Sequence, residues 1–91
     1  MRIKYEFSVR NIAGDYVLVP LGEAAIKLSG MITTNDVGAF IVEQLQKNLT
    51  KRELLEKVLD EFEIEPETAV TDIDEFILQL NKLELLENFS D

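Results

Sequence analysis

Between Gly30 and Val42 the chain changes period. Ahead of this stretch apolar residues recur every second position, as along a half-buried strand, and behind it they recur every third or fourth, as along one face of a helix. Met31 to Thr34 is short, β-prone and uncharged, and Asn35 is a good N-cap whose side-chain oxygen accepts from an otherwise unpaired N–H of a first helical turn. A strand therefore runs directly into a helix. A chain of 91 residues organised in this way is confined to a small sheet packed on a short set of helices, the α+β class.

The strand half opens with strict alternation. Ile3, Tyr5, Phe7 and Val9 are apolar, while Lys4, Glu6, Ser8 and Arg10 are polar or charged, which predicts one half-buried strand over residues 3–10. Ala13-Gly14-Asp15 reads as a turn and Tyr16 to Val19 as the returning strand of a hairpin, ended or bulged by Pro20 and Gly22. Extended structure is expected to resume over Ala24 to Leu28, and Ser29-Gly30 has the spacing of a second tight hairpin leading into Met31. The Met31 to Thr34 strand belongs at a sheet edge, because the chain leaves the sheet at Asn35 and nothing later has comparable strand character.

The helical half reads as three helices. Val37, Phe40, Ile41 and Leu45 mark the first, closed near Lys47-Asn48, and Gly38 in its first turn points to close backbone packing. Thr50-Lys51-Arg52-Glu53 is a capping box that starts the second, along which Leu54, Leu55, Val58, Leu59 and Phe62 form one stripe. Pro66 at the first helical position, beside Glu67, starts the third. There Ala69, Val70, Ile73, Phe76, Ile77, Leu80 and Leu83 fan over about 140° at about 100° per residue, wider than a coiled-coil seam. One edge of that fan, Val70, Ile73 and Ile77, is free to face something other than the core, while Leu78 lies off the stripe. Leu85, Leu86 and Phe89 are expected to fold back over the bundle end or pair near the sheet.

Composition narrows the function classes. With no Cys and no His there are no disulfides, thiolate nucleophiles or imidazole bases, and almost no zinc or iron chemistry. Carboxylates are the abundant functional groups, yet nothing marks a pair held for acid–base work, and Asp72-Ile73-Asp74 lacks the glycine and distal glutamate of a calcium loop. No catalytic residue, metal ligand or cofactor is expected. A net charge of −9 opposes nucleic acid. No apolar run is long enough for a membrane span, and the Met-Arg-Ile-Lys start lacks the apolar core of a signal peptide, so a cytoplasmic protein is expected. Without repeats or linkers, residues 1–91 read as a single domain.

The run Gly-Met-Ile-x-x-Asn-x-x-Gly-Ala-x-Ile from Gly30 to Ile41, behind Tyr-Val-Leu-Val-Pro at residues 16–20, resembles the pyrroloquinoline-quinone synthesis protein D family. The resemblance covers nearly the whole chain. It implies a small N-terminal antiparallel sheet of three or four short strands followed by three helices, winged-helix-like, that recognises the leader of a ribosomally made precursor peptide. It also implies a leader held beside the third strand, in a groove shared with the third helix, and a separate maturation enzyme, radical-SAM or similar, as second partner. On this basis the expected peptide-binding residues are Met31, Ile32, Thr33 and Thr34 on the strand and Val70, Ile73, Asp74, Ile77 and Asn81 on the helix. Whether the chain is a monomer or dimerises through its open edge is left undecided by the sequence.

Two other classes share parts of this description. A DNA-binding winged helix has the same element order, but its recognition helix would carry Asp72, Asp74 and Glu75, which repel phosphate. A carrier protein has the size and acidity, but needs a serine at a helix start. Ser8 lies in a predicted strand, Ser29 in a turn and Ser90 at the chain end.

Overall fold

A computed structural model describes residues 1–28 and 30–88. Three strands, β1 (Arg2–Ile3), β2 (Phe7–Ile12) and β3 (Asp15–Pro20), are followed by helix α1 (Glu23–Lys27), strand β4 (Ile32–Thr34), helices α2 (Asp36–Gln44), α3 (Lys51–Glu61) and α4 (Pro66–Lys82), and strand β5 (Leu86–Glu87). The strands make two antiparallel sheets, one of β1 and β5 and one in the order β2-β3-β4. The α+β architecture is as expected, with three differences in the N-terminal half.

First, the strand expected over residues 3–10 is two strands. The Ile3 N–H donates to the Leu45 carbonyl at 2.9 Å and the Lys4 N–H to that of Leu85 at 2.8 Å, so this end is drawn to the helices and to β5 rather than to β3. Alternation reports which side chains are buried and is blind to a change of pairing partner. The Met1 ammonium completes the attachment by donating to the Leu49 carbonyl at 2.8 Å, and Arg2 pairs with Glu87 across the small sheet at 3.0 Å.

Second, residues expected to resume extended structure form α1. Glu-Ala-Ala-Ile-Lys has two strong helix formers between an acid at the positive end and a base at the negative end. Gly22, at φ 56°, turns the chain out of β3 so that Ala24 is fully buried. Third, the hairpin expected across Ser29-Gly30 loses its first strand to α1, and β4 pairs with β3 instead. Ser29 lies outside the described residues, as does Phe89.

The helical half follows the local signals closely. Asn35 Oδ1 accepts from the Gly38 N–H at 2.8 Å and caps α2, which ends at Gln44, short of the expected Lys47-Asn48. Both bonds of the Thr50–Glu53 box form, at 2.9 and 3.1 Å, and Pro66 opens α4. One core cluster draws Ile3, Leu18, Ile41, Leu54, Ile73, Leu80 and Leu85 from both halves of the chain, and Leu86 covers its edge. Phe40 meets Phe62 edge to face, with ring centroids 5.4 Å apart, joining α2 to the end of α3. Among the described residues no helix is long and apolar enough to cross a membrane.

Candidate functional site

The site grows from a question of parity along β4. The β2-β3 turn, Ala13-Gly14 with φ of 53° and 89°, closes on Ile12 and Asp15, a pair that exchanges both of its hydrogen bonds in a two-residue turn of this kind. Asn11 Oδ1 steadies the turn by accepting from the Gly14 N–H at 3.1 Å. The same parity reappears at the far end of the hairpin, where the Leu21 N–H donates to the Glu6 carbonyl at 3.0 Å. The bonded pairs between are therefore Arg10 with Val17 and Ser8 with Val19.

Tyr16 and Leu18 accordingly direct their backbone groups the other way, toward Thr34 and Ile32. Pro20, next in that series, has no N–H to offer, and pairing with β4 stops at Ile32. Alternation then leaves one residue of β4, Thr33, with its N–H and C=O aimed at the open edge of the sheet. Its side chain is exposed, whereas Ile32 and Thr34 are half-buried on the opposite face.

Beside this edge lies a cavity of about 260 Å³. Thr34, Asn35, Val37, Gly38 and Ile41 line it from the strand–helix joint, and Asp72, Glu75, Phe76 and Gln79 line it from α4. Gly38 makes the close approach possible. A Cβ there would run into Thr34 Oγ1 and stand 3.0 Å from Phe76 Cε1, so glycine lets the joint, Thr34 and Phe76 meet. The groove thus has an apolar floor, two carboxylates on one wall and no basic residue in its lining.

Of the residues expected to hold a peptide, the strand set is together at the edge: Ile32, Thr33 and Thr34 form β4, and Met31, just ahead of it, is 66% exposed. The helix set lies elsewhere. At about 100° per residue Val70, Asp74, Ile77 and Asn81 are centred on the side of α4 opposite Asp72, Glu75, Phe76 and Gln79. Ile73 and Ile77, 1% and 3% exposed, are core residues. Val70 and Ile73 instead line a second, apolar cavity of about 200 Å³ with Leu55, Lys51 and Arg52 of α3. Lys51 Nζ meets Asp74 Oδ1 at 2.5 Å on that same side, and this ion pair answers the one Asp74 oxygen shut off from solvent. Asn81 is exposed and lines neither cavity.

The flank of α4 that does face β4 was readable as a pattern. Asp72, Glu75, Phe76 and Gln79 follow i, i+3, i+4 and i+7 spacing, but with a single apolar member they resemble a solvated face. At the start of α3 the Thr50 backbone N–H, and then its side chain, hold the Glu53 carboxyl below the usual carboxylate value. It reports the helix cap and lies outside the groove. No three acidic side chains gather as a metal site would require among the described residues.

Among curated proteins none matches the chain. A solved structure, that of TbiB1 in complex with the TbiA(beta) leader peptide, is similar over 100% of both chains at 23% identity, with a TM-score of 0.69. That likeness is one of fold. The family described as coenzyme PQQ synthesis protein D matches residues 15–86, from the start of β3 to the first residue of β5. The match includes the β4–α2 joint and the whole of α4, the parts that build the groove, and the chain belongs to the coenzyme PQQ synthesis protein D family.

Proposed function

We propose that this protein binds the leader segment of a ribosomally made precursor peptide as an added strand on β4, with alternate leader side chains entering the groove between β4 and α4. The observation that carries the reading is the unpaired N–H and C=O of Thr33, directed at an open edge beside an apolar-floored groove. Family membership supports it, and TbiB1, similar in fold, has been solved with a leader peptide.

In this reading the protein performs no reaction itself. It hands the leader to a separate maturation enzyme, of radical-SAM type. Holding substrate and enzyme in one assembly makes their encounter effectively intramolecular, so modest leader affinity raises the local concentration greatly. A DNA-binding role is disfavoured by the same groove, whose wall from α4 carries Asp72 and Glu75 and no cation.

Proline scanning of β4 tests the reading. Thr33→Pro removes the outward donor and leaves the bonds to β3 in place, and Ile32 before it is already extended, as a residue preceding proline prefers. Ile32→Pro removes a donor that faces Leu18. Folding is followed by circular dichroism and thermal melts, and binding by calorimetry with a peptide selected on the parent protein from a displayed library. Thr33→Pro should stay folded and lose about 1 kcal/mol or more of binding, Ile32→Pro should lose stability, and Thr33→Ala should change neither. Parent-like affinity in a folded Thr33→Pro protein rejects strand addition.

A further inference from the structure

Resting on the reading that β4 takes an extended peptide, we propose that the bound segment carries a lysine or arginine two residues from an apolar side chain, flanking the residue that pairs with Thr33. In an added strand successive side chains point to opposite faces, so the neighbours of Thr33's partner share the face of Ile32 and Thr34 and look into the groove. Two such side chains stand about 6.6 to 6.8 Å apart. That matches the step along α4 from Asp72 to Phe76, neighbours four residues apart at about 5 to 6 Å. One peptide position therefore meets the apolar floor of Phe76, Val37 and Ile41, and the other meets the wall of Asp72 and Glu75.

No described residue forms an ion pair with the carboxylates on that wall. Among the described residues the ion pairs are Arg2 with Glu87 and Lys51 with Asp74, and neither reaches the groove. An acidic leader residue at this position meets like charges with no cation to offset them, whereas a basic one completes two pairs. The net charge of −9 acts in the same sense at long range, raising the encounter rate of a cationic segment.

The test is peptide display with the full chain as bait. Eleven-residue random peptides are selected on the parent, on Thr33→Pro, on the neutral Asp72→Asn/Glu75→Gln double variant and on Asp72→Lys/Glu75→Lys, each first shown by thermal melt to be folded. The proposal expects Lys or Arg enriched two positions from an aliphatic or aromatic residue, loss of that enrichment in the neutral variant, and Asp or Glu in its place in the reversed one. Affinity of a selected basic peptide should fall about two- to fivefold per carboxylate neutralised, and less steeply at high salt. Selection that depends on Thr33 but shows no basic preference and no response to the charge variants overturns this inference and leaves strand addition standing. Selection indifferent to Thr33→Pro overturns the reading beneath it.

Discussion

Helix α4 meets the rest of the molecule along two flanks that differ in kind. The flank toward α3 is the more closed: Ile73 is buried and Lys51 is tied to Asp74, while Val70, 39% exposed, lines a small apolar cavity with Leu55. The flank toward β4 is open, with Phe76 half-buried at the floor of a groove and Asp72, Glu75 and Gln79 along its wall. The α3-facing flank is the more apolar in sequence, and burial of Ile73 and Ile77 has removed most of that surface from water. The free flank is the one whose polar side chains are stable without a partner. Surplus apolar width on a helix is therefore used here in large part by the protein's own core, through Ile73 and Ile77.

The largest effect that separates the flanks comes from core truncation. Ile73→Ala should cost about 2 to 5 kcal/mol in denaturant unfolding, through lost burial plus the cavity left behind. Phe76→Ala, only half-buried, should cost less stability but more peptide affinity. If Ile73→Ala remained stable and lost binding selectively, the assignment of the flanks would be reversed.

Next in size is the joint. Gly38→Val places branched carbon where Thr34 and Phe76 already stand, and overpacking of this kind costs about 1 to 3 kcal/mol. Because the displaced groups line the groove, calorimetry should show weaker peptide binding even in the fraction that folds. Normal stability and normal binding together would mean that the close approach at Gly38 is not needed.

A smaller effect belongs to the ion pair on the closed flank. Asp74→Ala removes a pair whose side chains are both about two-fifths exposed, and screened pairs of this sort contribute about 0.2 to 1 kcal/mol. Thermal melts should show that modest loss, diminishing with salt, while peptide affinity stays at the parent level. Binding lost in Asp74→Ala as completely as in Thr33→Pro would erase the distinction between the flanks.

The smallest effect is at the start of α3. The Glu53 carboxyl is held below its usual value by the Thr50 cap, so its contribution is complete above the unfolded-state value and is lost as pH falls through the lower folded-state value. Acid melts should show this as a slight extra loss of stability. Glu53→Gln, which keeps a capping-box acceptor without the charge, should flatten that part of the pH profile. A profile unchanged by Glu53→Gln would place the acid sensitivity elsewhere.

What could be read without coordinates was whatever depends on near neighbours in the chain. The Asn35 cap, the Thr50–Glu53 box, the Pro66 start and the Ala13-Gly14 turn involve partners within a few residues, and each formed. The edge position of β4 was also legible, since the helical pattern begins at once after it and leaves no later strand to cover it. The family resemblance added the expectation of a groove against the last long helix.

Only the tertiary structure decided the pairing and the facing. Alternation over residues 3–10 was real, yet while Phe7 answers to Pro20 through the hairpin, Ile3 answers to Leu86, a partner that no local signal names. Ala24 to Leu28 had no strong period, and helix propensity together with burial of Ala24 prevailed over continuation of the strand. On α4, periodicity showed how wide the apolar face is but carried no information on which neighbour stands at which side. That depends on the approach of α3 and on that of the β4–α2 joint, where Gly38 stands against Phe76, a residue dozens of positions away. Hydrophobic burial is non-directional, so a sequence can specify that a face is covered without specifying by what.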